Sequence, residues 1–225
     1  MDCIWVKIMN LPILYYNIKT NKPLKKSQIP QLRGYFLNKY DSEELHNHSG
    51  NGFKYTYPKV QYKIFKGSAY LIGINEGANI LGEIGLKTKE LELNHEVYKI
   101  IDGYLSLKQL DYGVSDEMKD YKFISPWLAL NEKNYEDYKN LNDEEKKEKL
   151  EKILIGNILS MSKYLNYTVD KKIEVNMHDY EEMAVKYKGN SFVGIYGKFS
   201  TNFNIPDLLG IGRKVSKGFG TLKKV

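Results

Sequence analysis

Residues 55–86, YTYPKVQYKIFKGSAYLIGINEGANILGEIGL, hold two runs of strand-forming residues joined by Lys66-Gly67 and followed by an apolar pattern of helical period. Tyr55–Phe65 and Ser68–Ile74 read as the arms of a hairpin, because a glycine at the joint accepts the positive φ that a tight turn needs. Asn75–Leu86 reads as a helix. Cys3–Met9 alternates as a strand, and Gln28–Tyr40 carries Ile29, Leu32, Tyr35, Phe36 and Leu37 near helical spacing. Leu91–Tyr98 reads as a return strand, which completes the order β-α-β-β-α-β.

Beyond a mixed connector the same order is expected to recur, with Lys122–Leu130 as its opening strand. Asn142 and Glu145 make the start of a capping box, and Leu150, Ile153, Leu154, Ile158, Met161 and Leu165 form an apolar stripe broken only by Asn157. The charge run Asp143–Lys152 is a solvated face with i, i+4 pairing. Tyr167–Met177, Met183–Lys188 and Ser191–Phe203 read as strands, the last two turning at Gly189-Asn190. Gly218–Leu222 reads as a closing strand. The expectation is an α+β chain of two such units, residues 1–105 and 106–225.

At 225 residues and 42% hydrophobic content the chain can bury a core in each unit. One cysteine, Cys3, excludes internal disulfides and a zinc ribbon. The start Met1-Asp2-Cys3-Ile4-Trp5 lacks the layout of a signal peptide, and no apolar run approaches the ~20 residues of a membrane helix, so a cytoplasmic chain is expected.

The formal charge of +6 is unevenly placed. Residues 1–40 hold seven cations against Asp2 alone and residues 186–225 hold eight against Asp207, so two basic ends enclose an acidic centre. Segregation of that kind suits a polyanion-binding face. The two arginines, Arg33 and Arg213, lie one in each basic end, and guanidinium forks grip phosphate in a way lysine cannot. The tail from Gly210-Ile211-Gly212 to Gly218-Phe219-Gly220 adds Arg213, Lys214 and Lys217 on a loop expected to be too flexible to bury a core face. Its alternative reading is a glycine-rich hairpin into a terminal strand. No Gly-Lys-Ser/Thr ends it, so it is not a Walker loop.

His46 and His48 stand in a polar, glycine-rich stretch that reads as an exposed loop, and histidine suits proton transfer near neutral pH. From the residues alone three readings stay open: an acid–base pair, incidental surface histidines, or half of a metal site. His95 beside a strand pattern and His178 in an expected turn read as structural. A histidine pair near aromatics and cations suits RNA cleavage, because RNA carries its own nucleophile in the 2′-hydroxyl. Tyr55 and Tyr57 could hydrogen-bond phosphoryl oxygens or stack on a base, or be ordinary strand residues.

Four stretches together carry a family likeness: Ile29-Pro30-Gln31-Leu32-Arg33-Gly34-Tyr35, Leu45-His46-Asn47-His48, Ile72-Gly73-Ile74-Asn75-Glu76-Gly77-Ala78, and the glycine-rich tail. The chain resembles the CRISPR-associated endoribonucleases that cut precursor CRISPR RNA within its repeats, members of the RAMP superfamily, subgroup b. The resemblance implies two tandem ferredoxin-like (RRM-like) domains and cleavage that needs neither metal nor cofactor. It implies repeat RNA as partner and delivery of guide RNA to an interference complex, with homodimerisation a further expectation. His46, His48 and Tyr55 match the subgroup's catalytic positions. Arg33, with Lys25 and Lys26 near it, and Gly210, Gly212, Arg213, Lys214, Lys217, Gly218 and Gly220 would contact RNA. The competing class is a non-catalytic RNA-binding subunit of the same superfamily.

Overall fold

A computed structural model of the chain describes residues 8–40 and 57–225. The chain divides into two compact units, the first built of Asn10–Leu110 with Ser216–Gly218, the second of Asp111–Val215 and Phe219–Val225.

In the first unit β1 (Met9–Thr20) leads to α1 (Ile29–Lys39), then β2 (Val60–Phe65), β3 (Ser68–Ile74), α2 (Glu76–Lys87) and β4 (Glu90–Leu93). The N-terminal part of β5 (Glu96–Phe123) completes its sheet, in the order β2-β3-β1-β5 with β4 paired to β5. Alternation places Leu14, Tyr16, Ile18, Tyr62, Ile64 and Leu71 on one face, where Leu32 and Phe36 of α1 and Ala78, Leu81 and Ile84 of α2 close over them. The β2–β3 hairpin turns at Lys66 and Gly67, with φ of 48° and 81°, and Phe65 lies opposite Ser68. Two positive φ values define the turn whose twist matches flanking strands.

In the second unit the C-terminal part of β5 is followed by α3 (Glu132–Tyr138), α4 (Asp143–Tyr164), β6 (Val175–Tyr187), β7 (Asn190–Asn204) and β8 (Leu222–Lys224), giving the order β8-β5-β7-β6. Asn142 caps α4 through the expected box: its side chain accepts from Glu145 N while Glu145 accepts from Asn142 N, both at 3.0 Å. Leu150, Leu154, Ile158 and Met161 face a core of Tyr112, Tyr121, Phe123, Trp127, Phe199 and Phe203. Both units have the ferredoxin-like strand order, although between β7 and β8 the described residues hold a 3₁₀ turn, Val215–Lys217, and no α-helix.

Four expectations are corrected. Of the first strand expected at Cys3–Met9, residues 3–7 lie outside the described residues; the strand described runs from Met9 on to Thr20, and Pro12 sits near its start, before the stretch paired with β3 from Ile13, where a missing N–H costs little. The region read as a return strand and connector is a tight hairpin at Asn94 and His95 feeding the 28-residue β5, which ends at Phe123. Tyr167 lies outside any strand; β6 begins at Val175, and the Tyr167 hydroxyl accepts from Val114 N at 2.9 Å. The β6–β7 turn is Lys188-Gly189, one residue earlier than expected, because Tyr187 already pairs with Asn190.

Gln61 and Lys63 are fully buried on the β2 face opposite the helices, which they share with Ile72. Lys63 Nζ donates to Gln61 Oε1 at 3.1 Å, and Gln61 Nε2 donates to Tyr57 Oη at 2.9 Å. Burial disfavours the ammonium form and pushes the Lys63 pKa down to about 7. An unfolded lysine keeps its proton to about pH 10.4, so between pH 7 and 10 the unfolded state binds more protons and stability rises with pH. Lys63→Met removes this dependence. The stability of K63M relative to the native chain should therefore be highest at pH 7 and decline towards pH 9.5, by up to about 1.4 kcal/mol per pH unit. Parallel unfolding titrations across that range check it, and a difference that does not change with pH would show that Lys63 titrates as an ordinary lysine.

Candidate nucleic-acid interface

His46, His48 and Tyr55 lie outside the described residues. The described chain resumes at Tyr57, whose hydroxyl is held by the Gln61 amide at the start of β2. His95 occupies the β4–β5 turn with φ of 63°. His178 lies within β6, not in a turn, beside the irregularity between Met177 and Tyr180; its Nε2 is 2.5 Å from Ser200 Oγ, which in turn donates to Asp120 at 2.6 Å.

The glycine-rich tail is packed rather than flexible, contrary to expectation. Leu209, Ile211, Val215 and Leu222 are buried, because each has apolar neighbours in the unit that it helps to close. Backbone pairing folds the segment on itself: Ile211 N donates to Gly220 O at 2.9 Å, Leu222 N to Leu209 O at 2.9 Å, and Gly220 N to Pro126 O at 2.8 Å. The strand expected at Gly218–Leu222 starts only at Leu222, since Gly218 and Gly220 take φ of 83° and 60°. A Cβ on Gly220 would stand 2.0 Å from Ile211 O, and one on Gly218 would stand 2.8 Å from Ile29 Cδ1 and 3.1 Å from Tyr62 O. Both glycines are therefore required by packing, whatever else they contact.

This tail also accounts for Asn157, the polar break in the α4 stripe. The Asn157 side chain accepts the Trp127 indole N–H at 3.0 Å, directly beside Gly212. A buried indole needs such an acceptor, and the demand is invisible until Trp127 and α4 are brought together.

Arg213 is exposed, and its Nη1 donates to the Leu130 carbonyl at 2.8 Å, which fixes one side of the guanidinium and leaves its other donors to be satisfied from solution or a ligand. Lys214 Nζ sits over the Tyr187 and Phe192 rings, 5.2 and 5.0 Å from their centroids. Its pKa is lowered, first by burial and then by Arg213 and Lys188. The two cations edge a groove of about 950 Å³ whose lining includes Tyr135, Met183, Phe192 and Leu130. Aromatic and apolar walls beside fixed cations can hold a base by stacking while the charges take its phosphates.

In the first unit Lys25 and Lys26 are exposed at the 3₁₀ turn before α1, where Gln28 Oε1 accepts from Lys25 N at 2.8 Å. Arg33, on α1, is half-buried, and its Nε is closed from solvent with no hydrogen-bond partner among the described residues. Lys217 is half-buried and, with Gly218, belongs to the first unit. The expected RNA contacts thus fall into a first-unit set of Lys25, Lys26, Arg33, Lys217 and Gly218 and a second-unit set around Arg213 and Lys214.

Comparison with known proteins places this geometry. The protein MJ0978 of Methanocaldococcus jannaschii is 59% identical over 145 residues, 64% of this chain and 99% of that protein. A solved structure of Cas6b is 41% identical, covers 96% of this chain and 100% of its own, and superposes with a TM-score of 0.89. A second, a CRISPR RNA processing endoribonuclease Cas6b, is 38% identical over the same shares with a TM-score of 0.76. The CRISPR-associated protein Cas6, at 16% identity and a TM-score of 0.55, shares the fold. Family models of the Cas6b N-terminal and C-terminal domains match residues 9–111 and 113–225, and the chain belongs to the Cas6b family.

Proposed function

We propose that the chain is an endoribonuclease that cuts precursor CRISPR RNA within its repeats to yield guide RNA. The observation that carries this reading is the match of both halves to the two Cas6b domains, with 38% identity to a CRISPR RNA processing endoribonuclease along 96% of the chain.

The chemistry asked of His46 and His48 is one proton removed and one delivered. One imidazole takes the proton of the 2′-hydroxyl; that oxygen attacks the adjacent phosphorus, and the P–O5′ bond breaks as the other, protonated imidazole gives its proton to the leaving oxygen. The products are a 2′,3′-cyclic phosphate and a 5′-hydroxyl, and the step balances without a metal. Tyr55 would donate to a phosphoryl oxygen as charge builds there. The histidine loop belongs to the proposed N-terminal domain, residues 1–105, and the groove of Arg213 and Lys214 to residues 106–225. The groove and the Lys25–Lys26–Arg33 segment hold the RNA; assembly with other CRISPR subunits or a second copy is compatible with this role.

Repeat RNA should be cleaved in EDTA, and cleavage should stop when a deoxynucleotide replaces the ribose upstream of the scissile phosphate. Undiminished cutting of that substrate would exclude 2′-hydroxyl attack. His46→Ala and His48→Ala should each slow single-turnover cleavage by about 10²-fold or more with little loss of RNA affinity; a double variant that cuts at the native rate would place the chemistry elsewhere and leave an RNA-binding subunit as the reading.

Arg213→Ala should weaken RNA binding and flatten the slope of log affinity against log salt by about 0.7 to 0.9. Gly218→Val should lower the melting temperature as well as affinity, because the added side chain collides with Ile29 and Tyr62. An unchanged salt slope in R213A, read by titration at several salt concentrations, would remove Arg213 from the RNA surface.

A further inference from the structure

The register of the second sheet sets three lysines in one lateral row. Lys122 of β5 lies directly opposite Lys198 of β7 on one side and Lys223 of β8 on the other. Their chain neighbours Tyr121, Phe123, Phe199 and Leu222 are buried, so alternation turns all three lysines to the opposite, outer face. Lys198 and Lys223 are exposed and Lys122 is half-buried. None of the three takes part in an ion pair among the described residues.

Such a row is unfavourable for the sheet alone. Adjacent strands are about 4.8 Å apart, and like charges directly opposite one another destabilise the pairing. Lysine on an edge strand guards against aggregation, which could explain Lys223 on β8, but β5 and β7 are interior strands. The carboxylates of this face stand to either side and do not fill the row. Asp120, two residues before Lys122, accepts from Ser200 Oγ and lies 3.8 Å from His178 Nε2; Glu181 lies opposite Tyr196. Tyr196, two residues before Lys198, is half-buried and by strand alternation lies on the same face. Three cations in line beside an aromatic fit a chain with one negative charge per residue and flat bases, which is RNA.

We propose that Lys198, Lys122 and Lys223, with Tyr196, form a second RNA-backbone contact surface that grips phosphates of the transcript away from the cleaved bond. This rests on the reading of the chain as an RNA-binding nuclease. It is separate in sequence from the histidine loop, and none of its residues belongs to the groove of Arg213 and Lys214. The row adds affinity and register without touching the reacting atoms.

The test uses the full chain carrying Lys122→Gln, Lys198→Gln and Lys223→Gln together, with Lys198→Glu alone as a variant of smaller structural effect. The probe is repeat RNA made uncleavable by a deoxynucleotide upstream of the scissile phosphate, with its natural flanks. The triple variant should bind more weakly and flatten the salt slope by about 2 units, as expected for three single-strand contacts. Its melting temperature should hold or rise, since a repulsive row is removed. Cleavage of ordinary repeat RNA at saturating enzyme should keep the native rate. Native affinity and slope in both variants would overturn the proposal, as would loss of binding to anionic vesicles with RNA binding intact. If the native chain binds RNA with a slope that depends on the row yet cuts no repeat, the surface stands and the nuclease reading fails.

Discussion

The backbone hydrogen bonding of β5 is the constraint on which the rest depends. One 28-residue strand pairs with β1 and β4 in the first sheet and is an interior strand of the second. Each unit has the order in which the first strand lies centrally, so neither sheet is complete without this shared segment. Its side chains are exposed over much of the length, with burial confined to Tyr98, Tyr112–Val114, Tyr121 and Phe123, and it pairs with β4 along Glu96–Lys99, then with β7 and β8 from Gly113 to Phe123. The Tyr167 hydroxyl meets Val114 N beside the pairing irregularity between Val114 and Lys119, so a donor there is not left without a partner.

Pairing explains why β5 is hard to read in the sequence while other elements are plain. Lys66-Gly67, the Asn142–Glu145 box and the α4 stripe are local signals whose cause lies within a few residues, and they predict their elements closely. Residues 99–111 contain no buried side chain, so hydrophobic periodicity had nothing to report there. Asn157 seemed a flaw in a stripe until Trp127 supplied the donor it answers. Lys63, in a run of strand formers, gave no sign that it would be closed from water.

The candidate site was legible only in part. Charge segregation and the two arginines pointed to the ends of the chain, and Arg213 and Lys214 do edge a groove with aromatic walls. The glycines of the tail were noticed for the right reason, positive φ and close approach, but the approach at Gly218 and Gly220 is first of all to the protein's own Ile29 and Ile211. The row of Lys198, Lys122 and Lys223 is spread over a hundred residues, and only strand register makes it a unit. Lysine placement read along the chain cannot show it.

The division of the tail between the units bears on how the protein is made. Ser216–Gly218 belong to a unit otherwise built of Asn10–Leu110, while the residues on either side belong to the other. A ribosome delivers that fragment more than a hundred residues after the rest of the first unit. The first domain is therefore complete only once that stretch of the tail, which packs against Ile29, has been made. The earlier domain in the gene thus takes its last backbone segment from beyond nearly the whole of the later one.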